Sequence, residues 1–290
     1  MLNAHPRVYV PRETHWIPTM HTAFGLTLQP LDAFIDVIDR THHASGLRTI
    51  DNILVEFGFS RHDLYGRLRK SFGERSDSLD LVSVNSAIYR HLAEQKGKHY
   101  CGDKTPDYGF YMVMLQHLWP GSRFVHLVRD GRDAAMSMSR HRGFQRMVSL
   151  GVNNWCPVAF NEYYRIGSSR QRIRSATRRV WTVFNRQART AQLTAYLELW
   201  ESRIRRIADE ATRLREGTYI EVKYEDLVQD VKGALSRLCA FAGLPCEDEW
   251  MTVATTMINS SPHSRTAMRR LEGLVVPRRC RSTLERFGYA

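Results

Sequence analysis

The sequence predicts an α/β fold with parallel strands, and three observations carry that reading. Short apolar, β-prone runs are followed at once by helix-like runs in three places. The loops inside these units are short, so successive strands lie parallel with right-handed crossovers. The chain is long enough, at 290 residues with 43% of them hydrophobic, to bury a sizeable core. One domain covering residues 1–290 is expected.

The first unit is "KHYCGDKTPDYGFYMVMLQHLWPG". A short strand around His99–Gly102 meets Thr105 and Pro106, a cap and first-turn pair, and an apolar helix then stops at Pro120-Gly121. The second is "RFVHLVRDGRDAAMS": strand Arg123–Val128, a turn, and a helix from about Gly131 to His141. The third, "GTYIEVKYEDLVQDVKGALSRLCAFAGLP", gives strand Tyr219–Lys223, a polar turn, and a helix with apolar Val231, Leu235, Leu238 and Phe241. Gly243 and Pro245 end it. Between the second and third units, Leu193, Leu197, Trp200, Ile204, Ile207, Ala211 and Leu214 form a stripe at helical spacing, with Arg203, Arg206 and Arg213 off it. This reads as a packed helix with a solvated cationic face. The basic cluster Ser168–Arg179 reads as an exposed insert.

Composition narrows the function classes. Charged residues make up 25% of the chain, which excludes disordered and fibrous classes. The formal net charge is +12, mostly from arginine, so anionic partners are favoured without one being chosen. The five cysteines are scattered with no CxxC pair, as in a protein of a reducing compartment. No histidine sits at metal-ligand spacing, and His42-His43 reads as a solvated helix end. No apolar run is long enough to span a membrane, and the first residues lack the pattern of a signal peptide. A cytoplasmic protein without a metal is the expectation.

In an open parallel sheet, ligands bind beyond the carboxyl ends of the strands. The residues there are Lys104, Arg129 and Tyr224, two cations and an aromatic that suit a phosphate-bearing nucleotide. Ser137, in the second turn of the helix after Arg129, adds a hydroxyl near the same place. Each feature taken singly has a plainer reading. Arg129–Arg132 can be a capped helix start, Lys104 a surface lysine, Tyr224 a packed aromatic and Glu225 a solvated acid.

The order and spacing resemble the sulfotransferases that use 3′-phosphoadenosine 5′-phosphosulfate, in particular the bacterial branch and the related tyrosylprotein sulfotransferases. "FVHLVRDGRDAAMS" is similar to the family's 3′-phosphate motif, with Arg129 and Ser137 at its arginine and serine. "GDKTP" is similar to its Lys-Thr-Pro segment, with Lys104 near the transferring sulfuryl group. "KYEDLVQDVKGALSRLCAFAGLP" resembles the Tyr-Glu-Asp-Leu strand and helix, with Tyr224 near the adenine. The ending "LERFGYA" resembles that of bacterial members, and "AHPRVYVPRET" the segment that carries the catalytic base. By that resemblance Glu13 is the base, and His15 replaces an arginine common in the tyrosylprotein branch.

The resemblance implies a P-loop NTPase-like parallel sheet flanked by helices. It implies transfer of a sulfuryl group from 3′-phosphoadenosine 5′-phosphosulfate, as co-substrate, to a hydroxyl or phenol of a small-molecule, carbohydrate or peptide acceptor. The family's Arg-Ser-Gly-Thr-Thr loop belongs before Met1, so the first strand and P-loop are expected to be missing, and with them most activity. Three rivals stand beside this reading: a non-catalytic nucleotide-binding relative, a basic nucleic-acid-binding protein, and a small-molecule kinase, for which no Gly-rich Lys-Ser/Thr loop is visible. Against the second, no nucleic-acid-binding signature is present. For Glu13 the plain alternative is a cap for the turn before Thr14.

Overall fold

A computed structural model describes residues 1–45, 58, 60–149, 186–258 and 276–289, and in it the strands stand where the apolar runs do. In chain order they and the helices are β1 (Val8–Tyr9), α1 (Trp16–Phe24), α2 (Leu31–Ser45), α3 (Arg61–Phe72), α4 (Leu81–Gln95), β2 (Tyr100–Cys101) and α5 (Met112–Leu118). Then come β3 (Phe124–Val128), α6 (Gly131–Arg140), α7 (Arg142–Ser149), α8 (Arg186–Ala211), β4 (Tyr219–Lys223), α9 (Tyr224–Gln229), α10 (Val231–Ala242), α11 (Asp248–Met257) and α12 (Arg278–Arg286). Both strand pairs are parallel, as expected: β1 with β2, and β3 with β4. The basic cluster Ser168–Arg179 lies outside the described residues.

The described residues form two compact units, one from Met1–Ser122 with Glu247–Met257, the other from the described residues of 123–246 and 276–289. In the first, α1, α2 and α4 bury Trp16, Met20, Phe34, Ile38, Val84 and Ile88. Each such side chain contributes about 1.5–3 kcal/mol of burial. The helix starts are fixed by side chains. Asp80 accepts from the Ser83 amide at 2.8 Å, and Ser60 with Asp63 forms a capping box. Asn3 fastens the chain start to the end of β1 through both the amide and the carbonyl of Val10. Trp250 of α11 joins this unit by stacking edge-on against His5 and donating to the Met1 carbonyl.

The second unit is built on α8. Leu197, Trp200, Ile204 and Ile207 of the expected stripe are buried, joined by Tyr196, Leu199 and Ala208. They pack with Val128, Ala135, Met138, Cys280, Leu284 and Phe287. The stripe weakens toward its end, where Ala211 and Leu214 are half-buried and α8 stops. The solvated cationic face is only partly realised: Arg213 is exposed, but Arg203 and Arg206 are half-buried.

Two expectations about local structure are corrected. The polar turn after β4 is a helix, α9, because extended Lys223 leads directly into a first turn that carries Glu225 and Asp226, acids suited to a helix start. Thr105 precedes a 3₁₀ turn, Pro106–Phe110, and its hydroxyl caps nothing. That hydroxyl is committed to Asp103 and to the Thr14 amide instead.

Gly131 opens α6 against the face of Trp200, and a β-carbon there would sit 2.5 Å from the ring. Alanine's helix propensity, worth about 1 kcal/mol at most over glycine, does not offset overpacking of about 1–3 kcal/mol. Gly131→Ala is therefore expected to lower stability in urea denaturation, and equal or greater stability would show that the ring yields freely.

Candidate functional site

The first unit brings two distant segments together, residues 13–15 and 103–105. β1 and β2 pair in register, Tyr9 opposite Cys101, so the residues that follow each strand emerge side by side. Thr14 then joins them. Its amide donates to Thr105 Oγ1 at 2.9 Å and its hydroxyl to Asp103 Oδ2 at 2.7 Å. The Tyr108 hydroxyl lies 2.7 Å and the Tyr89 hydroxyl 3.2 Å from the same Thr14 oxygen. Tyr89 also donates to Asp103 Oδ2, and Thr105 to Oδ1. Burial raises the Asp103 carboxyl above its ordinary value, while these hydroxyl donors work the other way.

With Thr14 fixed, its neighbours face outward and inward. Glu13 Oε1 meets Lys104 Nζ at 2.6 Å. Glu13 Oε2 lies 3.3 Å from His15 Nε2. The His15 ring is buried, and its Nδ1 is 3.9 Å from Oδ2 of buried Asp107. His15 and Lys104 together hold the Glu13 carboxyl down at about 2, His15 having the larger effect. Sequence reasoning named Glu13 and Lys104 and the structure pairs them. It missed Asp103, Tyr89, Tyr108 and Asp107, which only the fold brings near. His15 is the residue among those described that takes a positive φ without being glycine, 60°. Such a conformation costs on the order of 1–3 kcal/mol and concentrates at functional sites.

In the second unit the register of β3 on β4 sets Val128 opposite Lys223. Arg129 and Tyr224, the next residue on each chain, therefore meet, with the guanidinium carbon 4.9 Å from the ring centre. Arg129 Nη2 bonds Asp133 Oδ2 at 3.1 Å, one turn into α6. Its Nε is buried and meets no hydrogen-bond partner among the described residues. Ser137 stands exposed a turn further along α6. Asp130 caps α6 through the Arg132 amide and takes the Arg132 guanidinium as a fork. Glu225 ties the two strand ends together, accepting from the Asp130 amide at 3.1 Å and from the Tyr289 hydroxyl at 2.6 Å. Arg132 returns to the Tyr289 carbonyl. The chain ending thus closes onto the start of α6, and Glu225 is a structural link where a solvated acid was the plain alternative.

Among the described residues, no group of three or more His, Cys, Asp or Glu is placed to hold a metal ion, and no helix is long and apolar enough to cross a membrane.

The Sulfotransferase family model matches residues 1–164 and 161–248, and the chain belongs to that family. A sequence search of curated proteins found no match. Among solved structures, the sulfotransferase domain from the curacin biosynthetic pathway is similar, at 15% identity and a TM-score of 0.52, over 100% of this chain and 91% of that one. The sulfotransferase domain from the Synechococcus PCC 7002 olefin synthase aligns over 100% of this chain and 88% of that one, at 17% identity and a TM-score of 0.49. At such identity the curacin-pathway likeness speaks for the fold: a mixed helix and sheet domain of the sulfotransferase kind.

The Glu13 carboxyl lies well below its ordinary 4.5, so its partners add stability that is present above that pH. That stability is lost as pH falls toward about 2. In urea unfolding, the advantage of the native protein over Glu13→Gln should shrink across this window. A gap that stays constant would show that Glu13 has no such partners in solution.

Proposed function

We propose that this chain transfers a sulfuryl group from 3′-phosphoadenosine 5′-phosphosulfate to an acceptor hydroxyl or phenol, on a P-loop-like scaffold. The observation that carries the proposal is the contact of Glu13 Oε1 with Lys104 Nζ at 2.6 Å in a member of the sulfotransferase family. A base and a cation held together on an exposed edge are the two groups that such a transfer needs.

The residues of the second unit fit the donor. Arg129 has a buried Nε unmet by any described residue, and its guanidinium is braced by Tyr224 and Asp133. A planar fork of this kind takes phosphate oxygens in pairs. Arg129 and Ser137 would hold the 3′-phosphate, and Tyr224 would lie along the adenine. When bound, the donor supplies an activated sulfuryl group on a phosphate leaving group.

The chain's own part is positioning and charge stabilisation. Glu13 takes the proton from the acceptor oxygen as that oxygen forms its bond to sulfur. Lys104 turns to the bridging oxygen, where negative charge collects as the bond between sulfur and that oxygen breaks. The products are the sulfated acceptor, adenosine 3′,5′-bisphosphate and a proton on Glu13. The exchange of Lys104 is inexpensive: its side chain is 63% exposed and that of Glu13 38%, and exposed pairs are worth about 0–1 kcal/mol.

A second reading, nucleotide binding without transfer, draws on the Glu13 carboxyl held at about 2, far from the neutral range suited to a base. Loss of Lys104 to the donor removes the lesser of the two partners that hold it there, so the carboxyl rises from its resting position in the direction a base needs. Glu13→Gln decides between them: turnover should fall roughly a hundredfold while affinity for adenosine 3′,5′-bisphosphate holds. No turnover in the native protein, with nucleotide still bound, would establish the second reading.

For the nucleotide, Arg129→Ala should cost about 2–4 kcal/mol, or roughly 30- to 1000-fold in affinity by calorimetry. An unchanged dissociation constant would remove Arg129 from the site.

A further inference from the structure

We infer that His15 is a positioning residue for Glu13, gripping one carboxylate oxygen so that the other faces the acceptor once Lys104 has turned away. The inference rests on the reading of Glu13 as the base, and it goes beyond that reading by naming what orients the base.

A carboxylate on a flexible side chain can act as a base only if one oxygen keeps a fixed direction. In the resting arrangement both oxygens of Glu13 are held, Oε1 by Lys104 and Oε2 by His15. The two holders differ in kind. Lys104 is an exposed, flexible ammonium, whereas the His15 side chain is 3% exposed and rigid. The far side of its ring faces Asp107, itself buried in the 3₁₀ turn. Only one of the holders can leave without rearranging the core. After Lys104 goes, Oε1 is open to the acceptor and Oε2 is still held.

The backbone supports the same assignment. His15 lies between Thr14, fixed by the Asp103 network, and α1, which begins at Trp16. Every other positive φ among the described residues belongs to glycine. Glycine takes that conformation at the least cost, so a residue serving the turn alone would be glycine. The imidazole is what the strained position retains. Its burial also excludes His15 as the base, since an acceptor cannot reach its nitrogens.

The titratable and charged groups around the pair come from three places. Asp103 and Lys104 follow β2, Asp107 and Tyr108 belong to the 3₁₀ turn, and Tyr89 projects from α4. Asp107 Oδ2 lies 3.9 Å from the far ring nitrogen, and Lys104 competes for Glu13. Asp103, Tyr89 and Tyr108 are satisfied by Thr14 and by one another. Removing the imidazole takes from Glu13 its stronger partner, so that carboxyl should titrate at higher pH, and it also withdraws a lesser electrostatic contribution from Asp103.

The test compares the native protein with His15→Gly, His15→Gln and Glu13→Gln. Glycine suits the backbone but empties the space of a buried ring, so His15→Gly is expected to lose stability in urea unfolding whatever the role of the imidazole. The Glu13 titration and the rescue by glutamine carry the distinction. The Glu13 carboxyl is followed by ¹³C NMR titration, its signal assigned by its disappearance in Glu13→Gln. In His15→Gly the Glu13 titration should move up, the acidic limb of the turnover profile should move with it, and turnover at neutral pH should fall roughly ten- to a hundredfold. Affinity for adenosine 3′,5′-bisphosphate should stay as in the native protein. His15→Gln, which restores an N–H donor at similar reach, should recover much of the rate. A glycine variant with native turnover, or an unmoved Glu13 titration, overturns the inference. If Glu13→Gln keeps its turnover, the base reading fails instead, and the titration alone still decides whether His15 holds the carboxylate.

Discussion

The Thr14 hydroxyl has one proton and two lone pairs, and its surroundings use the proton and one lone pair. The proton goes to Asp103 Oδ2. Tyr108, whose oxygen already receives the Ile17 amide, is free to donate to Thr14. Tyr89 spends its proton on Asp103, so its approach to Thr14 is the weaker contact. Asp103 then accepts from three hydroxyls, Thr14, Tyr89 and Thr105, which oppose the burial that raises its carboxyl. Such a network is costly if partly made and stiff if complete. Here every hydroxyl proton has an acceptor, and the network fastens the segment of Glu13 and His15 to that of Lys104 across about ninety residues of sequence.

The second unit solves a similar problem with register rather than with a buried knot. Two parallel strands ending at the same level bring the next residue of each into contact. Arg129 and Tyr224 meet for that reason alone. Glu225 then staples the two chain turns through the Asp130 amide, and the Tyr289 hydroxyl holds Glu225 in turn. Burial and the neighbouring Glu225 both raise the Tyr289 phenol, so it stays a donor throughout the working pH range. The run Phe287-Gly288-Tyr289 is thereby tied to both strand ends, through Glu225 and Arg132.

Much of this was legible in the sequence, and the limits are physical. β3 and β4 are apolar runs with sharp boundaries, and the expected strand Tyr219–Lys223 agrees with β4 residue for residue. α8 announced itself by four buried residues at helical spacing. α9 did not, because six residues are too few for a periodicity. Thr105 looked like a cap because Thr-Pro opens many helices, and only the fold reveals a stronger claim on its hydroxyl. Tyr89 and Tyr108 look like ordinary members of apolar stretches. A polar network made of residues so far apart leaves no local pattern, and the one clue was the crowding of Glu, Thr, His, Asp, Lys and Thr just after two strands.

The contrast between the two kinds of interaction at Glu13 bears on how the site can work. A group that must change partners during a reaction cannot be held by something whose loss costs several kcal/mol. The exposed pair with Lys104 is worth about 1 kcal/mol or less, so a bound anion competes with it easily. A group that must keep its direction needs the opposite, a partner whose own position is set by burial and by a second contact. His15, buried beside Asp107 and held at a positive φ before α1, is of that kind. The cost of the strain falls on the fold, where the Thr14 network bears it, and the gain is a carboxylate with one fixed and one exchangeable oxygen. A lysine in the place of His15 would give two exchangeable partners, and an aliphatic residue would give none that is fixed.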